Sequence, residues 1–436
     1  MVAVTDGEIP AGKPKLLARH VAAVAAGNAL EFYDFLTFSY FAVYIGHAIF
    51  PFVSHGNSLL FTLITFGVGF LTRPIGGIVI GSMADRIGRK PAMVLSFTLM
   101  GLGITGLALT PSYAQIGMAA PVLVILFRLL QGFALGGEVG PSTAFLIEAA
   151  PPNRRGLYCS FQYMTQDLAA LAAGIMGTVL ASLLTEQQLT DWGWRLAFLL
   201  GAVIVPFGII ARRNLPETLH SVDDATLAPD GTAGKLTWYK QFRPYRLVAI
   251  LGLMLLAGGT IATYVITYLT TYAIDTLHMA ANVSFGTTVV AGLVAITFQP
   301  ISGYLSDIYG RKPVMLIPGM LLVLVCIPAF RIMATYHDML ALYSMSALLQ
   351  MLLSLSAVPV LAALTEALPV RIRAGSVSVI YAFSVAIFGG SAQAIVKWLI
   401  DATNALAPAY YMTAAYSVAI IAMALMRETA PAKVRR

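Results

Sequence analysis

The sequence predicts an all-α membrane protein, with twelve transmembrane helices in two pseudo-symmetric six-helix bundles and both termini in the cytoplasm. Three observations lead there. Of 436 residues, 58% come from the Ala, Val, Ile, Leu, Met, Phe, Trp, Tyr and Cys set and only 11% are charged, where a soluble domain carries about a quarter charged residues. Apolar runs of about 20 residues, the length that crosses hydrocarbon, recur along nearly the whole chain. A charged, glycine-bearing loop occurs twice, once in each half. At roughly 35 residues for a span and its loop, this length holds about twelve spans and leaves no room for a separate catalytic or receptor domain.

Apolar stretches punctuated by Gly, Pro and charge place helices near residues 18–50, 58–83, 91–110, 118–149, 156–184, 193–212, 246–274, 282–305, 313–333, 339–367, 374–398 and 408–427. Several exceed the crossing length, which implies tilt or extension into the interface. Orientation follows from the basic residues. The N-terminus and the even-numbered connections hold Lys13, Lys15 and Arg19; Arg86, Arg89 and Lys90; Arg154 and Arg155; Arg212, Arg213, Lys235, Lys240, Arg243 and Arg246; Arg311 and Lys312; Arg371 and Arg373, and Arg427, Lys433, Arg435 and Arg436 follow the last span. The positive-inside rule makes that side cytoplasmic and the number of spans even. The chain then divides into a tail (1–17), a first bundle (18–212), a polar linker (213–242), a second bundle (243–427) and a tail (428–436). Cys159 and Cys326 each sit in apolar sequence, so neither a disulfide framework nor a thiolate metal site is expected.

The duplicated loop is Gly81-Ser-Met-Ala-Asp85-Arg-Ile-Gly88-Arg89-Lys90-Pro91, matched by Gly303-Tyr-Leu-Ser-Asp307-Ile-Tyr-Gly310-Arg311-Lys312-Pro313. Glu148-Ala-Ala-Pro151 is likewise echoed by Glu366-Ala-Leu-Pro369. A six-helix unit has been duplicated, and parallel six-helix halves are a transporter architecture with the substrate path between them. The repeated loop resembles the signature loop of the major facilitator superfamily. Gly27-Asn28-Ala-Leu-Glu31-Phe-Tyr-Asp34-Phe35, Arg73-Pro74-Ile-Gly76, Arg128-Leu-Leu-Gln131-Gly132-Phe-Ala-Leu-Gly136-Gly137-Glu138 and Asp191-Trp192-Gly193-Trp194-Arg195 narrow the resemblance to its metabolite/proton symporter branch. Arg212-Arg213-Asn-Leu-Pro-Glu217-Thr218, Ala363-Leu-Thr365-Glu366-Ala-Leu-Pro369 and Ile387-Phe388-Gly389-Gly390 are similar in style to the citrate and tricarballylate symporters of that branch. The resemblance implies a bacterial inner-membrane importer that moves a small polycarboxylate with protons by alternating access. It also implies that Asp85, Arg86, Arg89 and Lys90, with Asp307, Arg311 and Lys312, act as gating latches on the cytoplasmic side.

A charge held in hydrocarbon costs at least about 2.5 to 3.5 kcal/mol, so each one retained is a functional candidate. Asn28, Glu31 and Asp34 share one face of the first helix. Arg128 and, roughly 15 Å deeper along the same helix, Glu138 lie in the fourth, Arg73 in the second, and Asp167 with Gln162 and Gln166 in the fifth. Arg stays protonated and pairs with carboxylate as a planar fork, so Arg73 and Arg128 are the expected substrate ligands. Asn28, Gln131, Gln162 and Gln166 are candidate donors. Asp34, Glu31 and Glu138 are the candidate proton carriers, with Asp34 paired to Arg128 as the switch. The alternative is a static ion pair between helices.

The second half offers Thr263, Tyr264, Thr267 and Tyr268, with Gln350, Tyr381, Ser384 and Gln393, either as the other wall of the site or as helix-packing surface. Arg331 and Lys397 are expected to reach water near the periplasmic ends. The six histidines are scattered, and no phosphate-binding loop occurs, so neither an enzyme, a metal site, a cofactor nor ATP-driven transport is expected. The expected partners are substrate, protons and lipid, not nucleic acid, and the expected unit is a monomer. Competing readings are a same-fold symporter of an aromatic acid, a hydroxy acid, a dicarboxylate or a zwitterionic osmolyte, and a drug/proton antiporter. The last is disfavoured because residues 156–184 lack proline.

Overall fold

A computed structural model of the protein describes residues 29, 32–51, 55–87, 89–136, 151–213, 245–368 and 370–434. A helix stands at each expected position. The first, α1, runs over 32–40 and resumes after Phe41 as Ala42–Ile49. The second, α2, is His55–Leu71 and Arg73–Ile87, interrupted at Thr72 because Pro74 lacks an N–H and crowds the preceding turn. Then come α3 (Arg89–Leu109), α4 (Ala119–Gly136), α5 (Arg155–Leu183) and α6 (Trp194–Arg213). Proline in the first turn of α3 and α4 costs nothing, since the missing N–H would have no helical partner.

The second set opens with α7, Arg246–Thr267 resuming as Leu269–Asp275. It is followed by α8 (Ala281–Tyr309) and α9 (Arg311–Tyr336), separated by Gly310 at φ 106°, a left-handed-side conformation that a side chain would strain. The next helix, α10 (Met339–Glu366), starts under the Asp338 carboxylate, which accepts the Ala341 N–H at 2.6 Å as an N-cap. In α11, Val370–Ser384 passes through a π-helical turn, Val385–Gly389, into Gly390–Ala402. The last long helix is α12 (Ala407–Leu425).

Among the described residues, nine helices are long and apolar enough to cross a membrane and no strand is present. Their outward side chains are apolar: Leu71, Ile78, Leu183, Leu324 and Leu340 are all exposed, as lipid-facing residues are. Inside, one buried cluster gathers mainly α7 to α12, around Phe330, Leu349 and Tyr416, and another mainly α1 to α6, around Phe38, Phe66, Trp194 and Phe198. The two sets meet along α5 and α8 and along α2 and α11. A Cβ built on Gly67 of α2 would stand 2.2 Å from the Gly390 carbonyl oxygen of α11, and one on Gly303 of α8 would stand 2.5 Å from that of Gly156 on α5. Glycine therefore permits backbone-to-backbone packing at both seams.

Candidate functional site

A cavity of about 140 Å³ lies between the two helix sets, close to the roughly 150 Å³ that accommodates a benzene-sized molecule. Of the residues that the sequence singles out, Arg73, Gln166, Asp167, Thr263, Tyr264, Thr267, Gln350 and Tyr381 line it. The Arg73 guanidinium carbon lies 4.0 Å from the Phe70 ring centroid and 4.6 Å from that of Phe35. The two rings stand edge to face at 79° and hold the cation between them.

Arg128 does not line the cavity. It is 1% exposed, wedged among the rings of Phe38, Phe35 and Phe66 at 4.6, 4.9 and 5.2 Å from their centroids. It donates to Gln131 Oε1 at 3.0 Å and to the Phe66 carbonyl at 3.3 Å. The Phe35 ring thus touches both guanidinium groups. Asp34 is equally buried, and neither of its carboxylate oxygens has a hydrogen-bond partner among the described residues. The charge that acts on it is Arg128. A buried carboxylate without donors is costly, and native proteins keep such groups rarely.

Among the remaining candidates, Gln162 and Tyr268 are buried away from the cavity. Gln393 Oε1 accepts from Ser39 Oγ at 2.8 Å, which joins α11 to α1. Asn28, Glu31 and Glu138 lie outside the described residues, as do the side chains of Asp85, Arg86, Arg89 and Lys90. Lys397 corrects the expectation of a snorkelling cation: it is 4% exposed and bridges Asp275 at 2.9 Å and Asp401 at 2.8 Å. The bend that ends α7 brings Asp275 under α11, and a paired buried cation costs less than an unpaired one.

At the opposite end, Asp307 accepts the backbone N–H groups of Gly156 and Leu157 at the start of α5 and the Arg311 guanidinium at 2.7 Å. Arg311, fully buried, also forks onto Glu366 at 3.0 and 3.1 Å. Glu428, beyond α12, accepts the backbone N–H groups of Arg311 and Lys312, while Thr429 donates to Glu366 at 3.0 Å. Lys312 Nζ donates to the Ala424 carbonyl at 2.6 Å, tying α9 to α12.

Residues 32–297 match the family model of the Major Facilitator Superfamily. The chain belongs to that superfamily. As a member it is a multi-pass integral membrane protein of a transporter family. It is 36% identical to a citrate-proton symporter of Klebsiella pneumoniae, over 92% of this chain and 89% of the relative. It is also 36% identical to the alpha-ketoglutarate permease of Escherichia coli K12, over 86% and 85%. A solved D-xylose-proton symporter superposes with a TM-score of 0.76 at 17% identity, covering 95% of this chain and 98% of its own, and shares the fold.

Within this superfamily fold the cavity also takes residues that the sequence did not mark. One is Gln299 of α8, which lines it and donates an amide N–H across the two sets to the carboxylate of Asp167 on α5, a residue that the sequence did mark. Tyr40, Tyr163 and Thr288 stand on the same wall. A lone amide in an apolar helix has no spacing partner to flag it. Its neighbour Pro300, inside α8, was the available sign of an irregular, inward-facing stretch.

Proposed function

We propose that the protein is a proton-coupled importer of a small polycarboxylate of the citrate or tricarballylate type. In this reading twelve helices span a bacterial inner membrane with both termini in the cytoplasm, and bundles 18–212 and 243–427 rock about the cavity. The observation that carries it is the Arg73 guanidinium on the cavity wall, held against Phe35 and Phe70 and backed by buried Arg128. Two fixed cations at a water-poor site favour a multivalent anion. Gln166, Tyr264, Gln350 and Tyr381 serve as further donors; Asn28, Gln131, Gln162, Tyr268 and Gln393 support the site from the surrounding helices. Asp34 takes the coupling proton, with Glu31 and Glu138 as further carriers, and the Asp307, Arg311 and Lys312 latch gates the cytoplasmic side together with its counterpart at Asp85, Arg86, Arg89 and Lys90.

Electrostatics require the coupling. Each negative charge entering a cell that is negative inside costs about 2.3 kcal/mol per 100 mV, so a trianion alone costs roughly 7 kcal/mol per 100 mV. Three protons per trianion make the step electroneutral.

A second reading, a zwitterionic substrate, is favoured by one observation. The cavity carries a carboxylate, Asp167, and an aromatic wall of Tyr40, Tyr163, Tyr264 and Tyr381 beside its guanidinium. The deciding experiment is uptake of labelled citrate into proteoliposomes under an inward proton gradient, with tricarballylate, 2-oxoglutarate, benzoate, shikimate and betaine as competitors. Gradient-driven uptake inhibited by the polycarboxylates alone supports the first reading. Absence of citrate uptake together with betaine uptake replaces it with the second.

A further inference from the structure

With the latch assigned to gating and Asp34 beside Arg128 to coupling, the carboxylate of the cavity itself is left without a task. Asp167 sits in the middle of α5, lines the same cavity as Arg73, and takes a hydrogen bond from Gln299 across the seam to α8. The acceptor of that amide, its carbonyl oxygen Gln299 Oε1, is buried with no partner among the described residues. The titratable and charged groups that line the cavity with Asp167 are Arg73 from α2, Tyr40 from α1, Tyr163 from its own helix, and Tyr264, Tyr381 and Tyr416 from α7, α11 and α12, with the Gln299 amide from α8 in contact with it. The only cation among them is Arg73.

Charge arithmetic makes the arrangement unstable to loading. A polyanion drawn to Arg73 brings like charge into a low-dielectric space that already holds a carboxylate, and like charge favours the protonated form of that carboxylate. By linkage, a proton on Asp167 tightens anion binding by the same factor. Protonation also changes the seam. A carboxylate holds the Gln299 N–H in a charge-assisted bond, roughly twice as strong as the neutral one that remains afterwards. The protonated acid can instead offer its O–H to Gln299 Oε1 or to the substrate.

We infer that Asp167 is a second proton site of this transporter, filled as an anion enters the cavity, and that its proton loosens the bridge between α5 and α8. This rests on the polycarboxylate reading. Deprotonation on the cytoplasmic side then releases the proton with the substrate and restores the bridge.

The test measures binding of citrate and 2-oxoglutarate to purified wild-type, Asp167→Asn and Gln299→Leu proteins between pH 6 and 8.5, with proton flux per substrate in proteoliposomes and thermal unfolding as the check of folding. The titration of the substrate is common to all three proteins, so differences between them isolate Asp167. Wild-type affinity is expected to fall as pH rises, approaching about tenfold per unit for one linked proton beyond the loss due to the substrate. Asp167→Asn removes that extra fall and lowers the flux by one proton per substrate while transport continues. Gln299→Leu takes a donor from the charged form and moves the fall to higher pH. An unchanged pH profile and proton count in Asp167→Asn overturns the inference while leaving the polycarboxylate reading intact. If the wild type binds no carboxylate, and Asp167→Asn abolishes betaine binding at every pH, both fall, because the cavity then needs Asp167 charged.

Discussion

Asp307 of α8 is joined to Gly156 of α5 by its carboxylate, which accepts the Gly156 N–H at 2.9 Å. The bond crosses between the two helix sets at a helix N-terminus, where a negative charge is favoured by the unpaired N–H groups and the helix dipole. The same carboxylate holds Arg311, which holds Glu366, so the contact between sets is anchored in a network of buried charges. Asp307→Asn keeps the shape and removes the charge. It is expected to leave substrate binding within about threefold while slowing exchange at least tenfold, a loss of about 1.4 kcal/mol or more in the balance of states. Cysteine labelling from the cytoplasmic side should rise in the same variant.

Asp34→Asn tests the coupling role proposed for Asp34. Removing the charge beside Arg128 is expected to abolish accumulation of substrate against its gradient, while exchange of internal for external substrate persists. Normal accumulation under a pH gradient would remove Asp34 from the coupling mechanism. Arg128→Ala, by contrast, strips the Phe35, Phe38 and Phe66 rings of their cation and is expected to abolish transport and lower the unfolding temperature together.

Gly67 and Gly132 separate packing between the helix sets from packing within one. An added Cβ on Gly132 meets the Gly69 carbonyl oxygen at 1.6 Å, with both helices in the first set. Gly132→Ala should therefore destabilise the fold, by about 1–3 kcal/mol as overpacking does. Gly67→Ala strikes Gly390 across the seam, which the proposed rocking would open and close. Its expected result is near-normal thermal stability with transport reduced at least tenfold, read by unfolding and uptake on the same preparations.

Glu428 gives a pH signature outside the membrane. Burial pushes its carboxyl up, but the backbone N–H groups of Ala430, Arg311, Lys312 and Thr429 outweigh that and hold its pKa below the ordinary 4.5. A depressed folded-state value contributes stability that is present above the ordinary value and is lost as pH falls through the depressed one. Glu428→Gln should therefore unfold at a lower temperature than wild type at pH 7, and the difference should shrink on acidification below about 4.5.

Much of this was legible in the sequence, because hydropathy and charge are local properties. A helix stands at each expected position, nine of them among the described residues long and apolar enough to cross a membrane, and Arg73 reaches the cavity from a proline-interrupted helix whose motif the sequence displays. The aromatic wall was harder to see. Nothing local marks Phe35, Phe38 and Phe66 as neighbours before the helices are assembled, yet they place Arg128 behind the cavity instead of on it. Lys397 was misread for a similar reason. Its partner Asp401 lies one turn away, but Asp275 is on another helix, and only tertiary packing shows that the cation is enclosed.

The π-helical turn Val385–Gly389 changes how α11 must be aligned with any other helix. In an uninterrupted α-helix, twelve residues of separation would put Tyr381 and Gln393 about 120° apart around the axis. One extra residue wound into a wide turn takes back about 100° of that, so the two side chains come onto nearly the same azimuth. Tyr381 faces the cavity and Gln393 faces Ser39 of α1. The turn is in effect a one-residue insertion that re-phases the helix, and shortening it by one residue would rotate everything beyond it away from α1.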